Sequence, residues 1–332
     1  MSMSPKTLAS LATILVAFSM QAAHANRYEI EDLGHNVIPF DVNTNGVVVA
    51  FRNDKAVEFR HGHWHALPIS GHAGIVRALN ERGDAVGNQG ITPILWTGSG
   101  GRRALALPGD ATSGTATGIT NDRVVAGRFT PPDEFFNTHC FRTLPDGTSI
   151  DLGLLAQGND CAANGIGDRG DIVGEANVVA DGPLHAILWR DGALRDLGML
   201  GAGDESRALA VNGKGLIVGR SNLVPGGASH AFSWKQGVMR DIGSSASFSD
   251  TSANAINDRG EIVGDGARVE DGAFRALRFA DGAVVSLEDE VEDLGDWLLL
   301  SATSVNEDGV IVGEAVRLGD GRVHGFLLRP LP

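Results

Sequence analysis

Lysine, cysteine and long apolar runs are all scarce in this chain. Basic residues are outnumbered, with 27 Lys and Arg against 41 Asp and Glu, for a formal charge of −14. So acidic a balance does not suit nucleic acid or an anionic membrane surface, which both recruit Lys and Arg, and neither is expected as a partner. After the first 25 residues no stretch approaches the roughly 18 apolar residues that a spanning helix needs, so no membrane span is expected. A Walker sequence, a G-x-S-x-G elbow, an H-E-x-x-H pair and an Asp-x-Asp-x-Asp-Gly calcium loop are all absent. With them go the usual signatures of nucleotide, acyl-transfer, zinc and calcium chemistry. No cofactor is expected, and no residue is singled out as catalytic or as a metal ligand.

The first 25 residues read as an address. Lys6 supplies a positive n-region, Leu8 to Met20 an apolar h-region, and Ala23-His24-Ala25 an A-x-A cleavage site. That is a secretory signal peptide, with Asn26 as the first mature residue. An uncleaved leader acting as a membrane anchor is the alternative. Export to the periplasm or the medium follows. In that setting the two cysteines, Cys140 and Cys161, pair by default as a disulfide, with two buried free thiols as the other reading. Losing the leader removes one basic residue and no acid, so −14 becomes −15.

What is abundant is glycine, 45 residues of it, interleaved with apolar residues as many turns require. The glycines belong to a repeat. Clear copies are Ala255-Ile256-Asn257-Asp258-Arg259-Gly260-Glu261-Ile262-Val263-Gly264 and Ala210-Val211-Asn212-Gly213-Lys214-Gly215-Leu216-Ile217-Val218-Gly219. Five others end at Ala50, Gly87, Gly127, Gly174 and Gly313, so copies recur every 37 to 49 residues. Such a period means a propeller, solenoid or array. Seven units of about 44 residues fill residues 26–332 and leave no room for a second domain.

One unit reads as four strands. In residues 206–243 these are Ser206 to Asn212, Gly215 to Ser221, His230 to Trp234 and Val238 to Gly243. The Asn-x-x-Gly tetrads at Asn80, Asn212, Asn257 and Asn306 suit a type I turn between the first two. Asp146-Gly147, Asp191-Gly192 and Asp281-Gly282 are hairpin signals between the last two. A four-stranded meander exposes apolar surface on both faces, so neighbours must stack. Seven stacked sheets closing into a ring make an all-β seven-bladed propeller of four-stranded antiparallel blades, which also limits exposed edges. The last unit stops after its third strand, at Pro330. Tyr28-Glu29-Ile30-Glu31-Asp32-Leu33-Gly34 matches the fourth strand elsewhere, as in Ala193 to Gly198. The N-terminal strand is therefore expected to complete the last blade and latch the ring.

The third strand carries His230-Ala231-Phe232, His185-Ala186-Ile187, His139-Cys140-Phe141 and His324-Gly325-Phe326. It is followed by Trp189 or Trp234, then by Asp-Leu-Gly or Asp-Ile-Gly. With the Ile-Asn-x-x-Gly-x-Ile-Val-Gly turn, this resembles the HAF-repeat family of bacterial extracellular repeat proteins. The resemblance spans nearly the whole of residues 26–332 and implies secretion and a repeat fold, but no agreed activity. Repeats one, two and six lack the His, and Ala50, Thr120 and Arg123 break the turn motif.

Recurrence itself argues against a ligand set, because equivalent positions lie far apart around a ring. The four His are expected to make structural hydrogen bonds. His61, His63 and His65 share a strand face, but they begin in a hairpin and have no supporting carboxylate. Gly165-Ile166-Gly167-Asp168-Arg169-Gly170 spells G-x-G-x-x-G, yet it is the fourth copy of the strand-joining turn and opens no helix. Irregular loops are the better pointer to binding. Asp133, Glu134, Phe135 and Phe136 sit in a Pro-stiffened connection, and the acidic insertion from Glu288 to Asp296 runs into Trp297. These residues form the candidate binding surface, in the case of Phe135, Phe136 and Trp297 as an exposed aromatic patch. The insertion reads as a solvated acidic loop or, less simply, as a cation or basic-partner site.

The leading functional reading is an exported, non-enzymatic propeller that binds a glycan or protein partner through irregular loops on one face. The alternative is an extracellular carbohydrate-active lyase or hydrolase, with Arg77, Arg207, Asp160 and Asp204 at the channel mouth. A structural module in a surface assembly is a third reading.

Overall fold

A computed structural model describes residues 27–69, 74–134, 137–280 and 282–332. Residues 1–26, on which the expected leader and cleavage site fall, and Phe135, Phe136 and Asp281 lie outside the described residues. Seven four-stranded antiparallel sheets make up the fold, and they are the blades of a seven-bladed propeller. Blade 5 is typical: its strands run Ser206–Val211, Ile217–Asn222, Ser229–Lys235 and Val238–Asp241, from the channel outward. Blades 1 to 4 begin with the inner strands Val37–Val42, Gly74–Leu79, Ser113–Ile119 and Cys161–Ile166. Blades 6 and 7 begin with Phe248–Ile256 and Trp297–Val305.

The expected latch is present. Strand Tyr28–His35 pairs antiparallel with Arg322–Pro330, and with Ile311–Arg317 and Trp297–Val305 it makes the seventh sheet. Tyr28 and Leu33 are buried by it, and Leu331 N donates to Arg27 O at 2.8 Å.

Apolar layers between neighbouring blades form the core. Phe232 in blade 5 packs with Leu188 and Val173 of blade 4, and Leu327 of blade 7 with Val48 and Ala50 of blade 1. The repeated Ile-Val-Gly has a steric cause. Each inner strand carries a bulge, which brings its backbone over the second strand: a Cβ on Gly219 would drive into the carbonyl of Arg207, and one on Gly264 into that of Ser252. Gly260 and Gly215 close their turns at φ +90° and +72°, where glycine is favoured.

The turn asparagines do more than shape a turn. Asn212 Oδ1 accepts from Lys214 N and Leu216 N at 3.0 Å, while its Nδ2 donates to Asn257 O in the next blade at 3.0 Å. Asn257 does the same to Asn306 O (2.8 Å), Asn306 to Asn43 O (2.9 Å), Asn43 to Asn80 O (3.1 Å) and Asn80 to Thr120 O (3.0 Å). The amide accepts for the turn with its oxygen and donates to the neighbour with its nitrogen, whereas a carboxylate could only accept. The sequence breaks at Thr120 and Gly167. Across the first break, Cys140 in blade 3 and Cys161 in blade 4 form a disulfide with Cα atoms 5.2 Å apart.

Candidate ligand-binding face and channel

The two-residue and longer connections between second and third strands, and those between successive blades, emerge on one face. This follows from the antiparallel meander. The Asn-x-x-Gly turns occupy the other. Four loops of the first face carry an apolar residue at one equivalent position, four residues beyond the channel-facing residue of the second strand. Val179, Val224, Val269 and Leu318 are 55%, 56%, 59% and 61% exposed. They belong to consecutive blades, 4 to 7, and form an aliphatic arc. Exposed aliphatic side chains repeated at one height on one face are not explained by packing within the blades.

The predicted loop residues fare unevenly. Asp133 is exposed, and Glu134 Oε1 lies 3.7 Å from His139 Nε2. Trp297 is only 8% exposed: it opens the inner strand of blade 7, packs edge-on to His324 at 5.5 Å and lies under Arg317. It therefore belongs to the core and adds nothing to an exposed aromatic patch. Asp296 accepts from Gly319 N at 2.9 Å and Arg317 Nε at 3.3 Å, which ties down a neighbouring loop. The acidic insertion is not simply solvated either. Glu290 is buried and grips Arg278 in a forked ion pair, and Glu288 accepts from Leu299 N at 2.9 Å. Glu292 N donates to Tyr28 O at 2.8 Å, so the segment braces the latch strand. Asp289, Glu292 and Asp293 remain exposed, and no group of three potential metal ligands occurs among the described residues.

The recurrent His do make structural bonds. Nδ1 of His139, His185, His230 and His324 lies 2.8–2.9 Å from Asp151, Asp196, Asp241 and Asp32 on the adjoining outer strand. A carboxylate only accepts, so each Nδ1 carries the proton. The same carboxylate accepts from the Gly two residues on, at 2.7–2.9 Å, through its other oxygen in Asp151, Asp196 and Asp241 and through the shared Oδ1 in Asp32. One carboxylate thus serves the His and closes the Asp-Leu-Gly turn. Burial works to lower the His324 pKa, but Asp32 and Asp320 outweigh it and hold the ring above its ordinary value.

The seven inner strands enclose a channel. At its loop-face end, the residue after each Ile-Val-Gly glycine faces the inner strand of the next blade. Glu175 meets Arg207 at 3.5 Å, and Asp265 accepts from Ser301 Oγ at 2.6 Å. Burial raises the Asp265 carboxyl despite bonds from Ser301 and Asn254. Deeper in the channel, Asp41 accepts from Ser304 Oγ (2.7 Å), Leu79 N (2.8 Å) and Val42 N (2.9 Å), joining blades 7, 1 and 2. Burial nevertheless pushes its carboxyl up to about 6.

The four residues of the enzymatic alternative do not converge. Asp160 accepts from Thr138 N and Oγ1, and Asp204 from Asn222 Nδ2 and Gly226 N, all as loop anchors. Arg207 is paired to Glu175 and Glu205. Only Arg77 lines the channel without a carboxylate partner among the described residues.

No protein-family model matches the chain, and no curated protein matches it. Solved structures match its fold. A chain of the mitotic checkpoint complex aligns over 99% of both chains with a TM-score of 0.54 and 11% identity. Virginiamycin B lyase from Staphylococcus aureus aligns over 92% of this chain and all of its own, with a TM-score of 0.51 and 12% identity. The extracellular domain of a hybrid two-component system protein from B. thetaiotaomicron gives a TM-score of 0.52 at 7% identity, over 90% of this chain but 39% of that one. At such identities the likeness establishes the propeller fold alone. Among the described residues no helix is long and apolar enough to cross a membrane.

Proposed function

We propose that this is an exported, non-enzymatic propeller of the HAF-repeat type that captures a protein partner or a glycan on its loop-bearing face. The observation that carries this reading is the aliphatic arc of Val179, Val224, Val269 and Leu318. Burying four such side chains would contribute about 1.5 kcal/mol or more each, enough to anchor a modest interface. The disulfide supports export, because such bonds persist in oxidising compartments. The enzymatic alternative is weaker because Asp160, Asp204 and Arg207 are already engaged in loop bonds and ion pairs.

The test is a peptide and glycan array probed with the mature protein and with a Val179→Ser/Val224→Ser/Val269→Ser/Leu318→Ser variant. A Phe135→Ala/Phe136→Ala variant runs beside it. Binding that falls tenfold or more in the fourfold variant is the expected result. Binding that survives it intact removes the arc from the reading.

A further inference from the structure

The residue after the glycine that ends each repeat differs in charge from blade to blade. At the position after the glycine, blade 4 places Glu175 against Arg207, and blade 6 places Asp265 against Ser301. Blades 3 and 5 place Arg128 and Arg220 there; Arg220 lies within the field of Asp265, whereas the residue of blade 4 facing Arg128 is Ala162. The small side chain supplies no acceptor and leaves a cavity of about 300 Å³, lined by Arg77, Arg128, Thr115, Thr117, Asn164 and the alanines. A second anomaly meets the first. Thr117, Asn164, Asn254 and Thr303 stand at one inner-strand position and donate to a backbone carbonyl of the next blade at 2.8–3.1 Å. Arg77 occupies that position in blade 2, makes no such bond, and lies 5.2 Å over the Phe40 ring instead. Neither the Arg77 nor the Arg128 side chain forms an ion pair or donates a hydrogen bond among the described residues.

We propose that the cavity between blades 2, 3 and 4 binds a small oxyanion-bearing molecule, clamped between the guanidinium groups of Arg77 and Arg128. Two guanidinium groups present up to ten N–H donors, two positive charges and no acceptor, a set that an anion matches best, and Arg binds carboxylate, sulfate and phosphate bidentately. The Thr115 hydroxyl at the same wall suits a neighbouring ligand hydroxyl. Supporting the geometry, channel burial and then the charge of Arg128 both lower the Arg77 pKa; a bound anion would reverse the second effect. The site is separate from the aliphatic arc, so either can fail without the other.

Calorimetric titration of the mature protein at low salt would use D-galacturonate, inorganic sulfate and inorganic phosphate, with D-galactose as the neutral control. Binding of galacturonate alone assigns a carboxylate site; binding of all three assigns a general oxyanion site. Galactose should not bind. Arg77→Met and Arg128→Met should each weaken binding tenfold or more with the fold intact by circular dichroism. Ala162→Glu, which places a carboxylate opposite Arg128, should weaken it likewise. The proposal is overturned if none of the three anions binds, or if affinity is unchanged in both Met variants.

Discussion

Breaking the Cys140–Cys161 bond isolates the most self-contained contribution to stability in this ring. The bond closes a loop of 21 residues. Chain-entropy theory assigns such a loop about 3 kcal/mol at 25 °C, chiefly by restricting the unfolded chain. Unfolding entropy scales at roughly 2.1 cal/mol/K per residue, so a domain of about 300 residues carries roughly 0.6 kcal/mol/K, and 3 kcal/mol moves the melting point by about 5 °C. Both cysteines are buried, so a reductant reaches them only after unfolding. The experiment is therefore to unfold with reductant, refold, and compare melts of oxidised and reduced wild type by calorimetry. Reduced wild type keeps both sulfurs and creates no cavity. The Cys140→Ala/Cys161→Ala variant adds a cavity term and should melt lower still. A reduced protein melting within about 1 °C of the oxidised one would refute the reasoning, because the loop would then impose no constraint.

Four further outcomes are expected. Deleting residues 27–35 exposes the Arg322–Pro330 edge and removes buried Tyr28 and Leu33; cooperative melting should be lost and should return when a peptide of that sequence is added. Asn212→Ala removes two turn bonds and one bond to the next blade, so denaturant titration should give a loss of roughly 2–3 kcal/mol. Thr120→Ala, at the copy whose side chain accepts only from Val124 N, should cost about 1 kcal/mol. Asp41 has a folded pKa of about 6 against 3.8. The native state therefore holds an extra proton between those values, and stability from this group is present below pH 4 and lost as pH rises through 6. The change is about 3 kcal/mol. Carbon-detected NMR titration of the Asp41 carboxyl should find the midpoint near 6; a midpoint near 4 would remove the effect.

Blade number, strand order and latch were all legible in the sequence because each repeats, and repetition averages over local ambiguity. The non-local partners were not. Glu290 reads as one acid in a solvated run, yet Arg278, twelve residues earlier on a neighbouring strand, takes it inside. Trp297 follows that acidic run but opens a nine-residue inner strand, as long as that of blade 6 and longer than those of blades 1 to 5, and the added residues carry it into the core. The asparagine donors could have been found: a turn needing only an acceptor would accept Asp or Ser, yet five copies have Asn. The aliphatic arc carried a signal too, an apolar residue recurring 45 or 49 positions apart in these loops.

The latch also decides how the ring answers mechanical load. Tyr28 pairs with Pro330 and His35 with His324, so both chain ends leave from the same end of one antiparallel pair. Tension between the ends would peel those hydrogen bonds one after another, as in opening a zip, rather than shearing all of them at once. A molecule tethered through one end would keep its circle, while one pulled by both would open at modest force.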